Sequence, residues 1–407
     1  MPLLAFGRAS PYTAEPPHDE RFAMQRSTRK ILTTHVGSLI RPDELITAFE
    51  RSAEAHTASD IDACNALLAQ AVKDVVKRQI DVGLDVVNDG EYGKTSWSAY
   101  ILERLSGFEI RPSELQPLHW LGRDLERFPE FFAQEMPFAS QGLPTEACTA
   151  PISYRNEGSL QRDIDNLRAA LSAFPETEAF MTVVAPGSTA YNGVNEFYSS
   201  DREYVFAIAD ALRHEYRAVH QAGLVVQVDD AVLANLYDWL VRQSPDRYRE
   251  WAQLRVDALN HALEGIPAGQ VRYHVCFGSW HVPHVADAPL EALVDFILQV
   301  NAQAYSFEAA NPRHEHEWRV WRDVSLPADK ILIPGVVTHH TTTVEHPRLV
   351  ADRIVRFAEL VGADRVIAGT DCGFAQSQKT QRVHPSIMWA KLEALVEGAK
   401  LATEELF

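Results

Sequence analysis

The chain has 407 residues, 46% of them hydrophobic, and a formal net charge of −18. It can bury a substantial core but lacks the basic balance that nucleic acid or an anionic membrane surface demands. Cys64, Cys148, Cys276 and Cys372 are too few and too dispersed for a disulfide framework and point to a reducing, cytoplasmic setting. Apolar runs are too short to span a bilayer, the most apolar helical segment, Leu290 to Val300, being broken by Glu291 and Asp295.

Residues 1–28 are rich in Pro, charge and small polar groups, without the apolar stretch of a secretory signal. They are expected to form a mobile N-terminal arm, with Met24 an alternative start. Strand-like runs follow at Ile31 to Ser38, Asp85 to Glu91, Ala179 to Ala185, Leu224 to Asp230, Val271 to Phe277, Ala304 to Glu308, Ile331 to Val337 and Arg365 to Asp371. Amphipathic helical patterns separate most of them, so the alternation predicts an α/β fold, a (β/α)8 TIM barrel over residues 29–407.

Two helices are clear. Ser59 with Asp62 reads as an N-terminal cap ahead of a helix whose buried stripe runs Cys64, Leu68, Val72, Val76 and Ile80, ended by Gly83. Val350, Ile354, Phe357, Ala358 and Val361 form a second stripe, closed by Gly362. A long excursion, Trp97 to about Glu176, separates the second and third strands. It is expected to carry helices and a short strand pair near Ile152 to Arg155, folded over one mouth of the barrel. Cys148 is placed there in a polar loop, with no role.

Catalytic groups of such barrels gather at the C-terminal ends of the strands. His274 and Cys276 stand at i and i+2 of one strand, on the same side, and can grip one ion. A lone His-x-Cys pair reads first as a packed core pair. Glu308 and Cys372, at two other strand ends, turn the reading to a metal, because a buried glutamate needs water or a cation. Gly373, able to take positive φ, would leave the Cys372 thiolate exposed to the pocket. A donor set of one imidazole, two thiolates and one carboxylate suits a tetrahedral zinc ion. Two thiolates lower its Lewis acidity, which favours holding a substrate sulfur for S-alkylation over activating water. In Asn311 to Trp318, alternating His and Glu residues are read as a solvated rim rather than a second metal site.

The segments Thr34-His35-Val36-Gly37-Ser38, Asn88-Asp89-Gly90-Glu91, Gln227-Val228-Asp229, His274-Val275-Cys276, Phe307-Glu308, Gly335-Val336-Val337 and Asp371-Cys372-Gly373 together resemble the catalytic C-terminal barrel of cobalamin-independent methionine synthase. The resemblance implies zinc ligation by His274, Cys276, Glu308 and Cys372. It also implies that Glu91 and Asp229 hold the ammonium of homocysteine and Gly37-Ser38 its carboxylate, and that His340, or His339 by a one-residue shift, assists proton transfer to a departing folate. The implied activity is methyl transfer from a methyl-folate or another methyl carrier to homocysteine or a related thiol. Its partners would then be a small-molecule thiol and an alkyl donor, with neither nucleic acid nor membrane. Two departures stand out: the second barrel of the full-length synthases is missing, and Phe277-Gly278-Ser279-Trp280-His281 is a bulky continuation outside the pattern. Single-barrel relatives include epoxyalkane coenzyme M transferases, so epoxide opening by a zinc-held thiol stays open, as does a noncatalytic zinc-stabilised barrel.

Overall fold

The computed structural model describes residues 24–55, 57–189, 191 and 193–407. The eight expected barrel strands form: β1 (Leu32–Thr33), β2 (Val86–Val87), β3 (Glu178–Val184), β4 (Val225–Asp230), β5 (Val271–Val275), β6 (Ala304–Phe307), β7 (Ile331–Val337) and β8 (Ile367–Thr370). All neighbours pair in parallel, in the order β1-β8-β7-β6-β5-β4-β3-β2. This is the order right-handed crossovers impose on a (β/α)8 barrel. The seam between β1 and β2 is closed by Asp85, whose amide donates to the Thr33 carbonyl at 3.1 Å, and by Thr34, whose hydroxyl donates to the Val86 carbonyl at 3.1 Å.

The strands β1 and β2 are shorter than their apolar runs because side chains take over the backbone pairing. Buried Gln79 accepts from the Asn88 amide (3.0 Å) and donates to the Asn88 carbonyl (2.8 Å). The Gly37 amide donates to His35 Nδ1 at 3.2 Å, which leaves Nε2–H to meet Gln79 Oε1 at 2.8 Å. That network fixes the tautomer of His35 and ties the loops after β1 and β2 to the helix Ala58–Val82.

This helix is capped at Thr57, whose hydroxyl accepts from the Asp60 amide at 3.2 Å, rather than at Ser59. The cap moves two residues upstream because Thr57 has the extended backbone an N-cap requires. Cys64, Leu68, Val72 and Val76 are buried as their spacing predicts, and Gly83 ends the helix at φ 104°. Helix Pro347–Val361 buries Val350, Ile354, Phe357, Ala358 and Val361 and stops at Gly362, φ 97°.

The barrel floor is a separate apolar layer of Met24, Leu32, Val86, Phe180, Val225, Ala304, Ile331, Ile333 and Ile367, contributed mainly by the first residues of the strands. Of the expected arm, residues 1–23 lie outside the described residues, but 24–28 are docked. Met24 is buried, its amide donates to the Gly269 carbonyl at 3.0 Å, and the Ser27 hydroxyl donates to the Val366 carbonyl at 2.6 Å. An apolar side chain plugging an open barrel end gains more from burial than from mobility.

The excursion between β2 and β3 carries a strand pair at a different place from the one expected. Phe108–Gln116 runs antiparallel to Leu143–Cys148, which is joined in parallel by Gly193–Asn195; Tyr154 makes only an isolated bridge to Leu105. Cys148 is therefore a fully buried strand residue, not a loop residue. Leu118, Trp120, Leu121, Phe132 and Met136 form a small core of their own, packed against Trp280 and Val282 from the loop after β5. This satellite core roofs the C-terminal mouth. Among the described residues no helix is long and apolar enough to cross a membrane.

Candidate functional site

Three of the four expected metal donors converge. His274 on β5, Cys276 just beyond it and Cys372 just beyond β8 bring their ligand atoms within 4.8 Å of one another. The two sulfurs are 3.6 Å apart. Two Zn–S bonds of about 2.3 Å at a tetrahedral angle would place them about 3.8 Å apart. His274 Nδ1 lies 3.3 Å from the Ser306 hydroxyl, and its Nε2 is buried with no protein partner. A buried ring nitrogen left unpaired beside two sulfurs is what a metal-binding imidazole looks like before its ion is added. The residues present therefore fit a zinc ion. The hydrogen bond between the two cysteines holds the Cys276 thiol well below its usual range and pushes Cys372 up.

Glu308 stands beside this group rather than in it. Its Oε1 accepts from the Phe277 amide at 3.3 Å and its Oε2 from Asn311 Nδ2 at 2.7 Å. Burial, reinforced by the charge of Asp371, pushes its carboxyl well up. Asp371 in turn accepts from the Ala309 and Ala310 amides, both at 2.8 Å, and fixes the loop that follows Glu308. Neither Asp371 nor Asn311 carried a signal separable from ordinary strand-end polarity.

A cavity opens beside the cysteines, lined among others by Ser38, Glu91, Asp229, His274, Cys276 and Cys372. Gly37 lies behind its wall: a Cβ there would meet Thr182 Cγ2 at 2.6 Å and Glu91 Oε1 at 2.8 Å, so only glycine lets Glu91 in. Glu91 itself has φ 60°, rare for a side-chain-bearing residue, and is held there by Arg41, which donates to its carbonyl at 2.5 Å. Asp229 accepts from Gln227 at 2.7 Å; burial, with the nearby charge of Glu91 adding to it, raises its carboxyl to about 7. Gly373 is needed for space, not for positive φ: a Cβ there would collide with the Ser38 hydroxyl.

His340 is not among the residues lining this cavity. Its ring centroid is 4.8 Å from His339, 5.9 Å from His281 and 6.5 Å from His284. Burial first, then the neighbouring imidazoles, push it down to about 4. His339 is almost wholly buried, with neither ring nitrogen partnered. The segment after Asn311 is not a solvated rim at its centre. His314 is 3% exposed, hydrogen-bonded to Asp287 at 3.0 Å and Glu317 at 2.8 Å, and its ring is tilted against Phe277 at 4.1 Å between centroids. Burial pulls its imidazole down, but the two carboxylates prevail and raise it to about 10. The spacing of His314 and Glu317 hinted at this pair, while Asp287 was visible only in three dimensions.

The family model of the cobalamin-independent synthase catalytic domain matches residues 190–400, more than half of the chain. A methionine synthase of Saccharolobus islandicus is 25% identical over 377 residues, covering 92% of this chain and 95% of that protein. One from Thermococcus kodakarensis is 23% identical, covering 83% and 84%. Among solved structures, a B12-independent methionine synthase from a Shewanella species, in complex with selenomethionine, superposes with a TM-score of 0.64 at 18% identity, over 93% of this chain and 99% of that one, and supports the barrel assignment. With the strand order, the converging donors and a family match across the catalytic half, the chain belongs to the cobalamin-independent synthase catalytic-domain family.

Proposed function

We propose that this protein is a zinc-dependent S-methyltransferase, moving a methyl group from a methyl-folate or another methyl carrier to homocysteine or a related thiol. The observation that carries the reading is the pair of cysteine sulfurs 3.6 Å apart, beside an unpartnered buried His274 Nε2, at the edge of a cavity whose lining includes Glu91 and Asp229. His274, Cys276 and Cys372 would hold the ion, with Glu308 swinging from Asn311 to complete four ligands. A bound zinc ion would supply the positive charge that keeps an incoming thiol deprotonated at neutral pH. Glu91 and Asp229 would take the substrate ammonium, and the Gly37-Ser38 turn its carboxylate. Residues 29–407 would act as one catalytic domain, and His340 would stand on the donor side through its contact with His281.

Zinc-loaded protein incubated with homocysteine and a panel of methyl donors should form methionine. Consumption of an epoxide with a thiol, in the absence of any methyl donor, would instead favour the epoxide-opening transferase. Failure of every thiol to perturb the spectrum of cobalt-substituted protein would leave only a structural metal.

A further inference from the structure

Beyond Glu308 the chain runs from Asn311 to Glu317, the segment of alternating His and Glu residues, which packs behind the metal group without lining its cavity. Two donors hold the Glu308 carboxylate in place: the Phe277 amide on Oε1 at 3.3 Å and Asn311 Nδ2 on Oε2 at 2.7 Å. His314 touches both of them. Its ring is tilted against Phe277, and its amide donates to Asn311 Oδ1 at 3.2 Å, beside the Arg313 amide at 3.0 Å. With Oδ1 taken by two amides, the Asn311 side chain is fixed with Nδ2 facing Glu308 and Asp371.

The His314 ring is itself clamped. Asp287 comes to its Nε2 from the loop after β5, and Glu317 meets its Nδ1. Each acceptor is anchored from another side: Asp287 Oδ1 meets His284 Nδ1 at 3.0 Å, and Glu317 Oε1 accepts from the Leu290 amide at 2.8 Å. An imidazole that donates to a carboxylate from each nitrogen carries a positive charge. That charge acts on Glu308 and Asp371, two buried carboxylates that share the Asn311 amide and repel each other.

We infer that His314 is a positioning residue for the metal centre, holding Glu308 ready to join His274, Cys276 and Cys372 as a ligand. The inference rests on Glu308 being the fourth zinc ligand, as proposed above. His314 touches neither metal nor substrate in this arrangement, so its whole effect passes through Glu308. Outer groups that orient a ligating side chain contribute about ten- to a hundredfold to metal affinity.

The test measures zinc affinity of the full chain by competitive chelation, with the absorption bands of cobalt-substituted protein as a second readout. His314→Gln should weaken zinc binding at least about tenfold and alter the cobalt bands as Glu308→Gln does. The double variant should bind zinc no more weakly than Glu308→Gln alone, because nothing is left for His314 to position. Asp287→Asn, which takes the charge from one side of the clamp, should give a smaller loss that also vanishes in the Glu308→Gln background. This second variant decides the matter if urea unfolding shows that metal-free His314→Gln is not folded. Losses that add in the double variants, or zinc affinity unchanged in the single ones, would overturn the inference. Zinc affinity indifferent to Glu308→Gln would overturn it too, and leave the methyltransferase reading standing on three protein ligands. Coupling as expected, with no methionine from any donor, would bring down that reading and keep this one.

Discussion

Arg272 and His274 stand two residues apart on β5, and both are buried. Arg272, near the floor, is anchored by the protein itself: Nη1 donates to the Thr34 hydroxyl at 3.0 Å and Nη2 to the His35 carbonyl at 2.8 Å, and the guanidinium lies 4.0 Å over the Phe180 ring, with only Nε left without a partner. His274, at the mouth, keeps Nε2 without a partner. A buried group tied to distant backbone and side chains holds a fold together, whereas a buried ring nitrogen facing two sulfurs is placed to bind something the fold does not supply. Floor and mouth thus share a strand and a side-chain direction but differ in what completes them.

Replacing the mouth's own ligands should have the largest effect. Cys276→Ser or Cys372→Ser is expected to remove zinc and lower activity by at least about a hundredfold, while circular dichroism still shows a folded barrel; global unfolding would mean that the ion is structural. At the floor the pattern should invert. Arg272→Met, which removes the charged donor from the Thr34 hydroxyl and the His35 carbonyl, should cost about 3 kcal/mol in urea unfolding, with zinc affinity by competitive chelation unchanged.

His35 sharpens the same contrast through pH. Burial lowers its imidazole from 6.5 to about 4, so between those values the unfolded chain binds the extra proton. The His35 contribution is complete above pH 6.5 and is lost as pH falls towards 4, a change of about 3 kcal/mol. Unfolding of metal-free protein across this range should show it, and His35→Asn should flatten that portion; parallel curves would contradict the assignment. The smallest effect is expected at the cavity wall, where Glu91→Gln should weaken homocysteine binding about tenfold with zinc retained. Unchanged thiol affinity would remove Glu91 from the substrate site.

The barrel was legible because its strands alternate with helices whose apolar stripes repeat at helical spacing, as from Cys64 to Val76, and whose glycine stops take positive φ at Gly83 and Gly362. These are local signals, readable wherever neighbours in sequence are neighbours in space. The His274 and Cys276 pair was legible for the same reason, since a strand fixes the direction of residues two apart. Thr57 in place of Ser59 shows the limit even of local reading, where two hydroxyls compete for one cap and backbone geometry chooses.

What the fold alone decided is which polar groups meet. Cys276 and Cys372 are 96 residues apart and face each other only because β5 and β8 end at the same mouth. The same closure sets Asp371 against Asn311 and the Ala309 and Ala310 amides, brings Asp287 to His314, and lays Trp120 from the excursion on Trp280. Sequence sets the periodicity of each element and the chemical type of each donor, because these depend on residues a few positions apart. Long-range partners and the protonation they impose depend on distances across the barrel, and those exist only once the sheet has closed.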